Sequence, residues 1–294
     1  MQRPAGRRVA FSRIDRTMKI AYAVQAHKNP KQVARLFEAL AAPGDAIALA
    51  YDIKAGTGFV PAIRHAMGQR WTDSIRVLPP TNNAWGGYSL PAALIDCYAE
   101  LVRHGGDWDY VVNLSGQCLP TRPIPELRAM LAASGGANFL ECFEVESDWP
   151  EVLSRVHTYH FEFRGRARNT HIPRLARRDF PLYGGSAFMM LSRPFVEHLL
   201  QDGRMQRIVR WFRNTLIPDE LLFQTTLMNS PFRETLVPKT NRLVIWDDTA
   251  DGHPQILTTK DLPRLQDPSV YFARKFDTTV DAEVVDLILE HAHA

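Results

Sequence analysis

Cysteine is scarce in this chain. Cys97, Cys118 and Cys142 are odd in number and form no Cys-x-x-Cys pair. That argues against a disulfide framework and for a reducing compartment. No apolar run approaches the length of a membrane span, so no integral membrane segment is expected. The opening residues, MQRPAGRRVAFSRIDRT, are polar and basic with no apolar centre, and so do not read as a secretory signal. Residues 1–17 read as a disordered leader, or as a start placed too early, with Met18 just before the first apolar run. A GxxxxGK[ST] phosphate loop is missing, and so are internal repeats and low-complexity tracts. Charge of one sign is also in short supply. The formal net charge of +3 mildly favours anionic ligands such as nucleotides and makes no case for nucleic acid. The expected protein is cytoplasmic.

What is present is the making of a large core. The chain has 294 residues, 45% hydrophobic and 23% charged, enough for one big domain or two closely packed halves. KIAYAV over 19–24 reads as a buried strand, and Asn29-Pro30 as a helix cap followed by proline at the first helical position. Further strands are expected at 46–51, 74–78, 109–114 and 138–142. Helices are expected at 59–67, from a Ser89 cap to about 102, and at 124–131. This alternation means an α/β fold with a mostly parallel sheet flanked by helices. Such sheets bind ligands at the carboxyl ends of their strands, which puts Asp52, Ser115 to Cys118 and the Glu141 region on one rim. Residues 144–178 are polar, rich in Arg and His and poorly periodic, and read as loops or an irregular lid. Helical patterns return at 193–200, 205–212, 219–228 and 281–291, with a strand at 242–246.

Each group that could carry chemistry also has a plainer explanation. Asp107-Trp108-Asp109 has the bare pattern of a metal-binding DxD, but it precedes a strand and lies at the wrong rim, so it reads as a turn. His157 with His160, or His291 with His293, lack a third ligand, and no metal site is expected. Ser115 and Cys118 sit just past a strand outside any GxSxG elbow. The arginines at 164, 166 and 168 read as a solvated loop. Pro218-Asp219-Glu220 suits a helix start, where proline and acids are favoured. Trp246 at a strand end is either core or a stacking face. Lys275 beside Arg274 is either surface charge or a phosphate contact.

Taken in order, these pieces resemble the core-2/I-branching β-1,6-N-acetylglucosaminyltransferases and the peptide O-xylosyltransferases. The matching series is Trp85-Gly86-Gly87-Tyr88-Ser89, Asn113-Leu114-Ser115-Gly116, Gly185-Ser186-Ala187-Phe188, Pro218-Asp219-Glu220, Trp246, His253-Pro254, Asp261 and Phe272 to Asp277. The resemblance spans nearly the whole chain from Met18. It implies a GT-A-like glycosyltransferase domain over 18–294, with a nucleotide-binding half at 18–143 and an acceptor and catalytic half at 144–294. It also implies work without a metal or other cofactor. Glu220 matches the family's catalytic base and Lys275 a residue that holds the donor diphosphate. Ser115 and Gly116 fall at the nucleotide rim, and Trp246 matches an aromatic of the acceptor site. Two positions depart from the family pattern. Gln255 stands after His-Pro where a basic residue is usual, so Arg274, Lys260 or His253 has to compensate. Cys118 stands where an aspartate is common.

The reaction so implied moves a sugar, N-acetylglucosamine or xylose, from a UDP-sugar to a hydroxyl of a glycan or other acceptor. The anomeric carbon inverts in one displacement. Glu220 accepts the hydroxyl proton, aided by a helix dipole, and Lys275 stabilises the departing diphosphate. Asp219 is assigned to the acceptor side. Arg155, His157 and Tyr159 read either as acceptor contacts or as loop packing. Two other readings stand beside this one. A non-catalytic nucleotide-sugar-binding protein would fit the weakened positions 118 and 255. A glycoside hydrolase would need a second carboxylate across the scissile bond.

Overall fold

In the computed structural model, residues 17–174, 178–246 and 253–293 are described. The leader lies outside them except for Thr17, as do Asp247 and Asp248 after Trp246. The first half alternates strand and helix as its apolar runs require: β1 (Ile20–Ala26), α1 (Pro30–Leu40), β2 (Ala46–Tyr51), α2 (Phe59–Met67), β3 (Ile75–Val77), α3 (Ser89–His104) and β4 (Tyr110–Ser115). Short β5 (Leu119–Pro120), α4 (Ile124–Ala133) and β6 (Asn138–Leu140) follow. The second half holds β7 (Phe143–Glu144), the one-turn helices α5 (Val145–Asp148) and α6 (Ser154–His157), and a hairpin of β8 (Thr158–Phe163) and β9 (Arg166–Pro173). It continues with β10 (Tyr183–Gly184), β11 (Met189–Ser192), α7 (Arg193–Gln201), α8 (Gly203–Trp211), α9 (Leu222–Met228), β12 (Leu236–Val237) and β13 (Arg242–Val244). It closes with α10 (Leu262–Leu265), β14 (Phe272–Arg274) and α11 (Ala282–His293).

Seven strands form one sheet in the order β12-β6-β11-β4-β1-β2-β3. β1 pairs in parallel with β2 and β4, and β2 with β3; β11 alone runs antiparallel to its neighbours β4 and β6. The two halves therefore share this sheet, since β11 and β12 come from the second. The small sheet β13-β14-β5 carries the FARKFD segment to the rim of the large one.

The pleat sorts side chains by size. Ile20, Tyr22 and Val24 face one side with Val33, Phe37 and Ile288, while Ala21, Ala23, Ala46, Ala48 and Ala50 face the other with Leu94, Tyr98 and Phe223. Successive residues of a strand point to opposite faces, so both layers are buried and the strands read as near-continuous apolar runs. The row of alanines lets α3 lie close to the sheet, where Cys97 Sγ reaches Ala48 O at 3.8 Å. Burying a charge requires pairing. Asp45 therefore accepts from Ile20 N at 2.9 Å and pairs with Arg128, which also binds Met18 O.

Three expectations need correction. Ser89 is the first helical residue, not the cap; its Oγ accepts from Ala84 N at 2.8 Å and ties down the loop before α3. Pro218-Asp219-Glu220 does not open α9. It forms a separate 3₁₀ turn, because Leu221 at φ −129° breaks the helical run before Leu222. Residues 144–178 are not plain loop, since β8 and β9 pair in antiparallel register, Phe161 opposite Arg168 and Phe163 opposite Arg166.

Candidate active site

The turn that holds Glu220 begins with backbone strain. Ile217 sits at φ 48°, ψ 54°, a region β-branched residues rarely enter. Such a residue costs about 1–3 kcal/mol and persists only where its surroundings impose it. Here its N–H is held by Gly86 O at 2.8 Å, and further on Gly185 N donates to Glu220 O at 2.9 Å. A side chain at 185 would meet Glu141 O at 2.3 Å, so only glycine lets this contact form. The turn is thus clamped at both ends by the glycine pairs of the Trp85 and Gly184 segments.

This clamp sends the two acids in different directions. Glu220 is part-exposed, and its Oε2 accepts from Arg155 Nη1 at 2.7 Å. Arg155 in turn lies 5.1 Å from the Trp149 ring, which fixes its fork. Among the described residues Glu220 Oε1 has no hydrogen-bond partner. Asp219 turns inward, and its Oδ1 is buried without a partner. Burial first, then the adjacent Glu220 charge, raises the Asp219 carboxyl to about 7, against the pull of Arg155 and Arg274. With the folded value above the unfolded one, the native state holds more protons between about pH 4 and about pH 7, so stability falls as pH rises through that window. Urea midpoints of the protein minus those of Asp219→Asn should therefore decline from pH 4 to pH 7 and then level. A flat difference would show that Asp219 titrates like a solvated acid.

Other orphaned polar atoms lie close by in the sequence motifs. Gln224 Oε1, Arg242 Nε and Arg274 Nε are also buried without partners. Arg242 and Arg274 place their guanidinium carbons 4.3 and 4.6 Å from the Phe188 ring. Burial lowers Arg242 to about 10 with the Arg274 charge adding to it; Arg242 Nη2 donates to Asn113 O at 3.0 Å and Nη1 to Cys118 Sγ at 3.6 Å. Cys118 is fully buried, with Ser115 Oγ at 3.3 Å from its sulfur, so it is a packed residue between the strand end and Arg242.

A second group of side chains gathers at the carboxyl rim. Gly116 N donates to Gln25 O, and a Cβ on Gly116 would come within 2.9 Å of Val33, so the turn after β4 lies tight on β1 and α1. Gln32 Nε2 bridges Gly116 O and Phe276 O, each at 3.1 Å, and locks that turn to the end of the FARKFD segment. Lys275 emerges there beside His27 and Lys28. Burial, then the charges of Lys28 and Arg274, lowers its ammonium, while Asp277 opposes them. His27 is lowered as well, by burial and then Lys28, with Asp52 opposing and Lys275 and Lys54 adding. Lys28 is paired with Asp277 at 2.7 Å and Lys54 with Asp52 at 2.9 Å. Among the described residues Lys275 makes no ion pair, which leaves it able to meet an anion.

The sequence-derived residues thus fall into distinct places. Glu220 and Arg155 touch, and Lys275 stands on the rim with Ser115 and Gly116. Arg274 faces Phe188 and Asp219, on the side of the Glu220 turn. Gln255 donates its N–H to Ile245 O and holds the chain beside Trp246, which is 60% exposed. Tyr159 packs 5.7 Å from Arg174, itself stacked on Trp211, so the loop-packing alternative describes it. His27, Lys28 and Lys54 were not foreseen. They come from the ends of two strands and meet Lys275 only in the fold. Among the described residues no group of three His, Cys, Asp or Glu side chains could hold a metal ion.

The sequence matches the family model described as Core-2/I-Branching enzyme over residues 20–266. The chain belongs to the core-2/I-branching enzyme family. Its relatives include Xylosyltransferase 2 of Rattus norvegicus, 30% identical over 249 residues, or 75% of this chain and 28% of that protein. Another is Xylosyltransferase oxt of Drosophila melanogaster, 29% identical over 68% of this chain and 25% of that protein. A third is the beta-1,3-galactosyl-O-glycosyl-glycoprotein beta-1,6-N-acetylglucosaminyltransferase of Bovine herpesvirus 4, 26% identical over 79% of this chain and 51% of that protein. The chain thus spans about a quarter to a half of the length of these curated relatives. Among solved structures it is similar to apo mouse xyloside xylosyltransferase 1, with 12% identity, 73% of this chain and 83% of that one covered, and a TM-score of 0.37.

Proposed function

We propose that this core-2/I-branching family member is an inverting glycosyltransferase with a GT-A-like domain that moves a sugar, N-acetylglucosamine or xylose, from a UDP-sugar to an acceptor hydroxyl without a metal. The observation that carries the reading is the clamped 3₁₀ turn. It presents the Glu220 carboxylate, oriented by Arg155, with one oxygen left for a hydroxyl. In the reaction Glu220 Oε1 takes the proton of the acceptor hydroxyl. The acceptor oxygen forms its bond to the anomeric carbon as that carbon's bond to the β-phosphate oxygen breaks. The electron pair leaves with UDP, and the charge that develops there meets Lys275, with Lys28 and His27 beside it. The two lysines are preorganised cations, which act where charge appears in the transition state, while His27, its pKa lowered, offers a neutral ring. They also supply what Gln255 lacks.

Arg155 plays the part first assigned to a helix dipole. Because the turn is separate from α9, the fixed cation beside Glu220 is a guanidinium and not a helix end. Asp219 is withdrawn from the acceptor side and belongs to the buried polar layer behind Glu220.

The donor half of the proposal is tested by thermal shift with UDP, UDP-N-acetylglucosamine, UDP-xylose and UDP-glucuronic acid, with chelator throughout. A rise in melting temperature with UDP and with one of the sugars is expected. No rise with any of them would remove the nucleotide-sugar reading.

A further inference from the structure

Beyond the donor site, a cleft of about 590 Å³ opens between the tip of the β8–β9 hairpin and the Trp85 loop. Its size is that of a small-ligand site. We propose that this cleft binds the acceptor, and that the acceptor is an anionic glycan, bearing uronate, sulfate or phosphate groups. The inference rests on the transferase reading above.

Three observations carry it. First, the cleft displays aromatic surface. Trp85 is 63% exposed and meets His253 edge-on at 6.3 Å, and Trp246, 60% exposed, is bridged to Pro254 next to that histidine. Tryptophan is highly buried on average in folded proteins. Indole offers a rigid apolar face with a polar edge, suited to the C–H face of a sugar ring beside its hydroxyls. Second, among the described residues the charged side chains that line the cleft are Arg166 and Arg168, with His253 beside them, and no carboxylate lines it. Neither arginine makes an ion pair among the described residues. The hairpin's own acid, Glu162, is spent elsewhere, accepting Ser89 N at 2.6 Å on the body side of the ribbon. Guanidinium groups match carboxylate, sulfate and phosphate oxygens in a planar fork. Third, the cleft leads to the catalytic turn. Leu216 on its floor donates its N–H to Arg155 O at 3.1 Å, and Arg155 holds Glu220.

A glycan is favoured over an extended acidic peptide because the hairpin edge that faces the cleft is already used. Trp85 pairs with Arg166 there, and Ala167 N donates to Trp85 O. A peptide adding as a strand would find that edge occupied. The arginines first read as a solvated loop are thus a recognition surface, built by a hairpin that the polar sequence conceals.

The test uses the full chain with the donor found by thermal shift and measures UDP release with oligosaccharides of equal length. One is neutral, and the others carry uronate, sulfate or phosphate; an acidic Ser-containing peptide completes the panel. At least one anionic glycan should exceed the neutral one in kcat/KM by about tenfold or more, as expected for a hydrogen bond to a charged group. The double variant Arg166→Ala with Arg168→Ala should lose that preference while leaving the UDP thermal shift unchanged. Raising salt from about 0.05 to about 0.5 M should do likewise, since exposed charges are screened. Equal use of the neutral glycan, use of the peptide alone, or a double variant that keeps the preference would overturn the inference. Donor binding, read without any acceptor, separates these outcomes from failure of the transferase reading.

Discussion

Glu220→Gln is expected to lower kcat for sugar transfer by about 10²–10⁴ while leaving donor affinity unchanged. The substitution keeps the shape of the side chain and an oxygen that still accepts from Arg155, so the turn should stay clamped between Gly86 and Gly185. What it removes is the ability to hold a proton. General-base help acts only in the transition state, so the loss should appear in kcat and not in the donor's binding constant. Comparing melting temperatures with and without UDP separates a chemical defect from a folding one. Full activity in the variant would move the base elsewhere. Asp219 would be the neighbouring candidate, with a carboxyl raised to about 7 and already set close to neutrality.

Lys275→Ala should cost about 10²–10³ in kcat, the scale seen when one preorganised partner of a developing negative charge is removed. Lys275 stands at the end of β14 among His27, Lys28 and Arg274. Lys28 and Arg274 repel its ammonium, and a diphosphate would relieve that repulsion. The same repulsion means that the variant should be no less stable without ligand. Its stabilisation by UDP should shrink, because ligand that binds only the native state raises stability in step with its affinity. Lys275→Arg should restore part of the rate by returning the charge on a longer fork. A Lys275→Ala protein with full kcat and full UDP stabilisation would show that Lys28 and His27 alone hold the leaving group.

The parts of the fold that could be read from the sequence are those fixed by local pattern. β1 and β4 are buried on both faces, so each appears as an apolar run, interrupted only by Gln25 in β1 and by Asn113 and Ser115 in β4. The alternation of such runs with amphipathic helices leaves little choice of architecture. The helix start at Asn29-Pro30 was equally legible, since the Asn29 side chain does accept from Gln32 N. The errors came where one local signal serves two structures. Proline followed by acids suits the first turn of an α-helix and of a 3₁₀ turn alike, and only Leu221 decides between them. The β8–β9 hairpin was hidden because its period-two residues, Tyr159, Phe161 and Phe163, leave the two phenylalanines in solvent while arginines fill the facing strand. Nothing in such a ribbon separates an inside from an outside by hydropathy.

The site divides along the same line. Glu220 and Lys275 could be singled out because each lies in a short motif. Their partners could not. Arg155 reaches Glu220 across 65 positions, and Lys28 reaches Asp277 across 249. No spacing rule connects residues so far apart, and the strand order that joins them is a property of the whole sheet.

In the proposed reaction a base and a cluster of cations, with no metal, move a sugar from a nucleotide to a hydroxyl. The most direct measurement is UDP release from the donor in the presence of acceptor, with EDTA and with added Mn²⁺, and with the anomeric configuration of the product read by NMR. The result expected is a rate indifferent to chelator and an inverted product. A rate abolished by EDTA and restored by Mn²⁺, or a product that retains the donor's configuration, would contradict it.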